Sequence, residues 1–87
     1  MDGGLIGTLA ARIASGDCAF AGWVGIPDPM VAETLARTGF DAVVLDMQHG
    51  ALDVMSAIRG VAACALAGKP AIVRVPVGDF ATASRAL

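Results

Sequence analysis

The run Ala42-Val43-Val44-Leu45, closed by Asp46, constrains this chain more than any other stretch. Four consecutive apolar residues with a β-branched pair at their centre read as a buried strand. Met47-Gln48-His49-Gly50 comes directly after it, and His49 is the only histidine in the chain. A strand that carries Asp and His to its C-terminal end is how an α/β barrel places chemistry at its catalytic face.

The neighbouring segments fit that frame. Leu5, Leu9 and Ile13, with Ile6 beside them, keep helical spacing up to Gly16. Cys18 to Ile26 is an apolar run broken by Gly22 and Gly25 and reads as a first strand. Asp28-Pro29 is a helix start, with Asp as N-cap and Pro at the first helical position. Met30, Val31 and Leu35 form the expected buried stripe, and Gly39 stands where a C-terminal cap glycine belongs. A longer helix is predicted from Leu52 to Ala67, with Leu52, Met55, Ile58, Ala62 and Leu66 repeating at three or four residues and Gly68 ending it. Ala71 to Val75 is the third strand, Pro76 closes it, and Asp79 caps a last helix beginning near Phe80.

The predicted order is αβαβαβα with three parallel strands, since strands without charged interiors that alternate with helices form a helix-covered parallel sheet. Strand pattern alone does not choose between a barrel and a doubly wound sheet. The 87 residues are expected to form a single partial domain. Apolar residues make up 56% of the chain, above the usual ~45–50%. Some of the surface is therefore expected to pack against further chain or another subunit.

Composition also excludes classes of function. Net charge is −2, pI is about 4.9 and no basic run exists, which argues against a nucleic-acid partner. The longest apolar run, Val61 to Ala67, is far below the ~20 residues that cross a bilayer. Met1-Asp2-Gly3-Gly4 has neither the basic flank nor the apolar core of a signal peptide, so a cytoplasmic protein is expected. Cys18 and Cys64 share no metal or redox spacing and read as reduced structural thiols. Gly25-Ile26-Pro27-Asp28 is not a phosphate cradle, because Pro27 lacks a backbone donor and the glycine spacing is wrong.

Three positions could carry chemistry. Asp46 and His49 lie three apart across the end of the second strand, and a carboxylate bonded to one imidazole nitrogen makes the other more basic. That is a general-base dyad; the structural alternative is a histidine bonding loop backbone. Gly50 would leave room for a ligand near the backbone. Arg74 interrupts an apolar strand and needs an anionic partner. That partner is either a substrate carboxylate held in a bidentate fork or a structural acid such as Asp46. Trp23, flanked by Gly22 and Gly25, either walls a ligand pocket or fills the core. Asp28, Asp53 and Asp79 are explained as helix N-terminal residues, and Met30, Met47 and Met55 as core fillers.

Three segments together resemble the N-terminal third of the HpcH/HpaI aldolases: Gly22-Trp23-Val24-Gly25, then Gly39-Phe40-Asp41 leading into Leu45-Asp46-Met47-Gln48-His49-Gly50, then Val73-Arg74-Val75-Pro76. The resemblance implies a (β/α)8 TIM barrel, hexamers in the intact family, and a class II, divalent-metal-dependent lyase using Mg²⁺, Mn²⁺ or Co²⁺. It implies reversible retro-aldol cleavage of 4-hydroxy-2-oxo acids to pyruvate and an aldehyde. By the same resemblance His49 is the catalytic base acting through metal-bound water, and Asp46 is its partner. Arg74 would hold the pyruvate carboxylate or C2 oxygen, and Trp23 would line the pocket. Gln48 departs from the Glu common at its position. The family's metal ligands, on later strands, have no counterpart here, so no metal ligand is assigned and the isolated chain is expected to turn over weakly or not at all. The rival expectations are a non-catalytic β/α piece that associates with itself or with a complementing fragment, and a small-ligand binding module of doubly wound type.

Overall fold

The computed structural model describes residues 4–87; residues 1–3, part of the segment considered for a signal peptide, lie outside the described residues. The elements are α1 (Gly4–Ala14), β1 (Ala21–Val24), α2 (Pro29–Ala36), β2 (Ala42–Asp46), α3 (Val54–Leu66), β3 (Ala71–Arg74) and α4 (Phe80–Ala86). The order αβαβαβα is the expected one. The strands form one parallel sheet in the order β1-β2-β3, which is incompatible with the 2-1-3 start of a flavodoxin-like sheet.

The helix starts obey local chemistry. Asp28 accepts the Met30 N–H at 2.9 Å, with Pro29 opening α2. Asp53 and Ser56 form a reciprocal capping box at the start of α3. Asp79 accepts from both the amide and the hydroxyl of Thr82 in α4. At the other ends, Gly39 (φ 93°) and Gly68 (φ 78°) adopt the left-handed backbone that ends α2 and α3.

The two faces of the sheet are unlike. Val24, Val43 and Leu45 point to the helices and join Ala32, Ala36, Leu52 and Cys64 in the core, with Val31, Leu35, Met47 and Val73 packed around them. By strand alternation Trp23, Val44, Asp46, Ile72 and Arg74 lie on the opposite face. Trp23 is accordingly 57% exposed, while central β2 is buried throughout.

The helix faces correct several expectations. In α3 the buried residues are Ser56, Ala57, Gly60, Ala63 and Cys64, whereas Met55, Ile58 and Leu66 are exposed. Small residues win the inward face because the helix runs close to the sheet: the Leu45 methyls would lie 3.0 Å from a Cβ on Gly60. In α2 the buried pair is Ala32 and Ala36, and Met30 is exposed. The helix α1 forms as the periodicity predicts but buries no residue. Its Leu5, Leu9 and Arg12 border a cavity of about 180 Å³ at the N-terminal end of the sheet, with Asp41 and Lys69 opposite. Both cysteines are free; Cys64 is buried as expected, but Cys18 is exposed. Among the described residues no helix is long and apolar enough to cross a membrane.

Candidate active site

Parallel strands bring their C-terminal ends to one rim, and this rim gathers Trp23 from β1, Asp46 from β2 and Arg74 from β3. Asp46 sits level with Arg74 across the β2–β3 ladder. Gln48 and His49 lie in the loop after β2.

Asp46 organises the group. It is 4% exposed, so its charge needs several donors. Its Oδ1 accepts the backbone N–H groups of Gln48 at 2.9 Å and His49 at 3.0 Å, which folds the loop back over the strand end. Its Oδ2 accepts the Trp23 indole N–H at 3.0 Å and lies 3.6 Å from Arg74 Nη1. The indole bond, helped by the amides of His49 and Gln48 and by the Arg74 charge, outweighs burial and holds the carboxyl at about 2. Asp46 is therefore a fixed anion at neutral pH and not a proton acceptor.

Arg74 is bound on two sides. Its Nε donates to Gln48 Oε1 at 3.0 Å, and its Nη1 faces Asp46. The guanidinium carbon lies 5.8 Å from the Trp23 ring centroid, within cation–π range. The side chain remains 38% exposed, so the open side of the fork faces solvent.

The spacing of Asp46 and His49 suggests a carboxylate–imidazole dyad, and the contact formed is a different one. Asp46 meets the His49 backbone, and both carboxylate oxygens are already engaged by other donors. The His49 residue is exposed on the same rim. Of the two partners open to Arg74, the structural acid Asp46 is present in the fold. The room anticipated beside Gly50 is taken by protein: Gly50 packs on Gly25, and Ala51 N–H donates to the Gly25 carbonyl at 2.8 Å. Two contacts escaped the sequence reading, the indole bond to Asp46 and the Gln48 amide on Arg74. The only signal for the second was a neutral amide where a carboxylate is common. A cavity of about 160 Å³ lined by Met47, Ile58, Val61 and Val73 lies on the helix side of the sheet, opposite the face that carries Trp23, Asp46 and Arg74.

Among the described residues no three His, Cys, Asp or Glu side chains stand together as a metal site. With both Asp46 oxygens committed, these donors do not fit a divalent ion.

The family description HpcH/HpaI aldolase/citrate lyase matches residues 20–87. The chain belongs to this family. Among relatives, it is 43% identical over 61 residues to the hydroxypyruvate/pyruvate aldolase of Rhizorhabdus wittichii, an overlap of 70% of this chain and 24% of that protein. A solved HpcH/HpaI aldolase/citrate lyase family protein from Burkholderia cenocepacia superimposes with TM-score 0.77 at 32% identity, over 91% of this chain and 32% of that one. The citrate synthase SbnG superimposes with TM-score 0.75 at 32% identity, over 83% of this chain and 29% of that one. The chain thus spans about a quarter to a third of the length of these HpcH/HpaI relatives. Its sheet and helices correspond to the N-terminal portion of a (β/α)8 barrel. In such a barrel the face carrying Trp23, Asp46 and Arg74 is the interior one, and the C-terminal rim is the catalytic end.

Proposed function

We propose that this chain carries the oxo-acid-binding part of a class II pyruvate aldolase, which cleaves 4-hydroxy-2-oxo acids reversibly to pyruvate and an aldehyde through an enolate. The observation supporting this is the Arg74 guanidinium, anchored at the C-terminal rim by Gln48 and Asp46 and open to solvent on its remaining side. A planar, permanently charged fork suits a carboxylate and the oxygen on which enolate charge develops. Trp23 supplies an apolar wall beside it. Asp46, held ionised, fixes the guanidinium and shapes the loop. His49, exposed on that loop, is the group able to take the proton of the aldol hydroxyl. The divalent ion used by intact class II enzymes supplies Lewis acidity, and the described residues do not provide its ligands. The isolated 87-residue chain is therefore proposed to bind pyruvate with weak or absent turnover.

Trp23 is the only tryptophan and touches the site, so its fluorescence reports binding. Pyruvate is expected to change Trp23 emission in the parent chain and not in Arg74→Ala; an identical response in both would refute the assignment. Rapid pyruvate release from a 4-hydroxy-2-oxo acid by the chain with added Mg²⁺ or Mn²⁺ would refute the account of the ligands. The second reading, a β/α piece that self-associates, draws support from exposed Ile58, Leu66, Val77 and Phe80 around β3. Light scattering tests it, and a stable monomer speaks against it. Homo-oligomerisation of the intact enzyme and a cytoplasmic setting belong to the same proposal.

A further inference from the structure

We propose that Gln48 is a positioning residue that aims Arg74 and, as a neutral amide, adds no second negative charge to the rim, so that a small organic carboxylate binds more tightly than it would with glutamate at this position. This rests on the reading of Arg74 as the anion-binding group. Gln48 Oε1 takes the Nε proton of Arg74 at 3.0 Å, while Asp46 Oδ2 faces Nη1 at 3.6 Å. Two of the three guanidinium nitrogens are thereby oriented, and Nη2 has no partner among the described residues. The side chain is 38% exposed, so an anion can reach the fork from solvent.

The charge balance depends on Gln48 being an amide. Arg74 and Asp46 cancel, and Asp46 shares its charge with the Trp23 indole and two backbone amides. A glutamate at position 48 would accept the same Nε proton. It would also set a second carboxylate against one guanidinium and leave the rim with net charge −1. An incoming carboxylate would then meet repulsion in place of a neutral, donor-rich surface. Gln48 thus supplies the orientation that a glutamate could supply without the charge.

The test compares the parent chain with Gln48→Glu and Gln48→Met, titrating pyruvate and, separately, inorganic phosphate while reading Trp23 fluorescence. Gln48→Glu is expected to weaken pyruvate binding roughly fivefold to tenfold at pH 7.5 and low salt. Added salt should narrow the gap. The ratio of Gln48→Glu to parent affinity should close as pH falls through the ordinary glutamate range near ~4.3. Pyruvate stays anionic there, and Asp46 stays ionised because its carboxyl is held at about 2. Gln48→Met removes the acceptor without adding charge; it should weaken binding with no such pH recovery. A Gln48→Glu chain that binds pyruvate as tightly as the parent overturns the proposal, as does a defect that does not change with pH. If pyruvate fails in the parent while phosphate binds and weakens in Gln48→Glu, the oxo-acid reading falls and the role of Gln48 stands. If neither anion binds the parent, both fall.

Discussion

The loop that carries His49 is held to the barrel rim by a glycine pair, and the two members should respond very differently to one added methyl. A Cβ on Gly50 would run into the carbonyl oxygen of Asp46 and sit 2.9 Å from the Gly25 Cα. Both obstacles are backbone, so no side chain can swing aside. A Cβ on Gly25 would meet only the Gly50 Cα, at 3.7 Å, an ordinary contact. Overpacking against unyielding neighbours costs about 1–3 kcal/mol, and Gly50→Ala belongs at the upper end, about 2–3 kcal/mol. For a domain of this size that lowers the melting temperature by roughly 10–20 °C. Gly25→Ala should stay within about 0.5 kcal/mol of the parent. Thermal melts recorded by circular dichroism decide it. The reasoning is refuted if Gly50→Ala melts with the parent, or if Gly25→Ala falls as far. The functional corollary concerns displacement of the loop. Any Gly50→Ala protein that still folds should lose the Asp46 bonds to the Gln48 and His49 amides, visible as altered amide shifts at those two residues.

Leu45 is wholly buried beneath Gly60, so Leu45→Ala should cost about 3–5 kcal/mol, read as a lower urea midpoint with an unchanged slope. Acid should unfold the chain in a defined window. The folded Asp46 carboxyl is held at about 2 against an ordinary 3.8, so the unfolded chain takes up that proton first, and stability present above about pH 4 is lost as pH falls toward 2. Asp53 and Asp79, lowered by their bonds to Ser56 and Thr82, act in the same direction. Asp46→Asn should flatten this acid limb in a circular-dichroism titration; an unchanged limb would show that Asp46 is not its source. A thiol reagent should label exposed Cys18 at once and buried Cys64, whose thiol is pushed up by burial, only after denaturation. Two fast thiols would contradict the packing of α3.

Element order and the helix ends were legible because local chemistry writes them: Asp28, Asp53 and Asp79 start helices, and Gly39 and Gly68 end them, whereas the first strand, expected over Cys18 to Ile26, forms only at Ala21–Val24. Helix orientation was not. In α3 the large residues Met55, Ile58 and Leu66 repeat at helical spacing, and so do the small residues Ala57, Gly60 and Cys64. Periodicity weighted by size selects the first set. Close approach to Leu45 selects the second, and that distance exists only once the sheet is assembled. A helix that is apolar on both sides belongs in a setting where both sides are covered. The site was legible to a similar depth. Residue types and strand ends pointed to Asp46, His49, Arg74 and Trp23. Contacts between strands, Trp23 to Asp46 and Gln48 to Arg74, are long-range in sequence and left no periodic trace.

The division of labour at the rim comes from those cross-strand contacts. A carboxylate three residues before a histidine suggests that the acid tunes the imidazole. In this fold the same carboxylate is saturated by an indole, two amides and a guanidinium, and each of these holds it ionised. Asp46 is thus an architectural anion: it ties β1, the loop after β2 and β3 together at one point. Because its charge is spent on those donors, the rim's capacity to bind an anion rests on the part of Arg74 that Asp46 and Gln48 leave free. Charge at position 48 therefore acts on binding through Arg74, whereas loss of Asp46 would release Trp23, the His49 loop and Arg74 together.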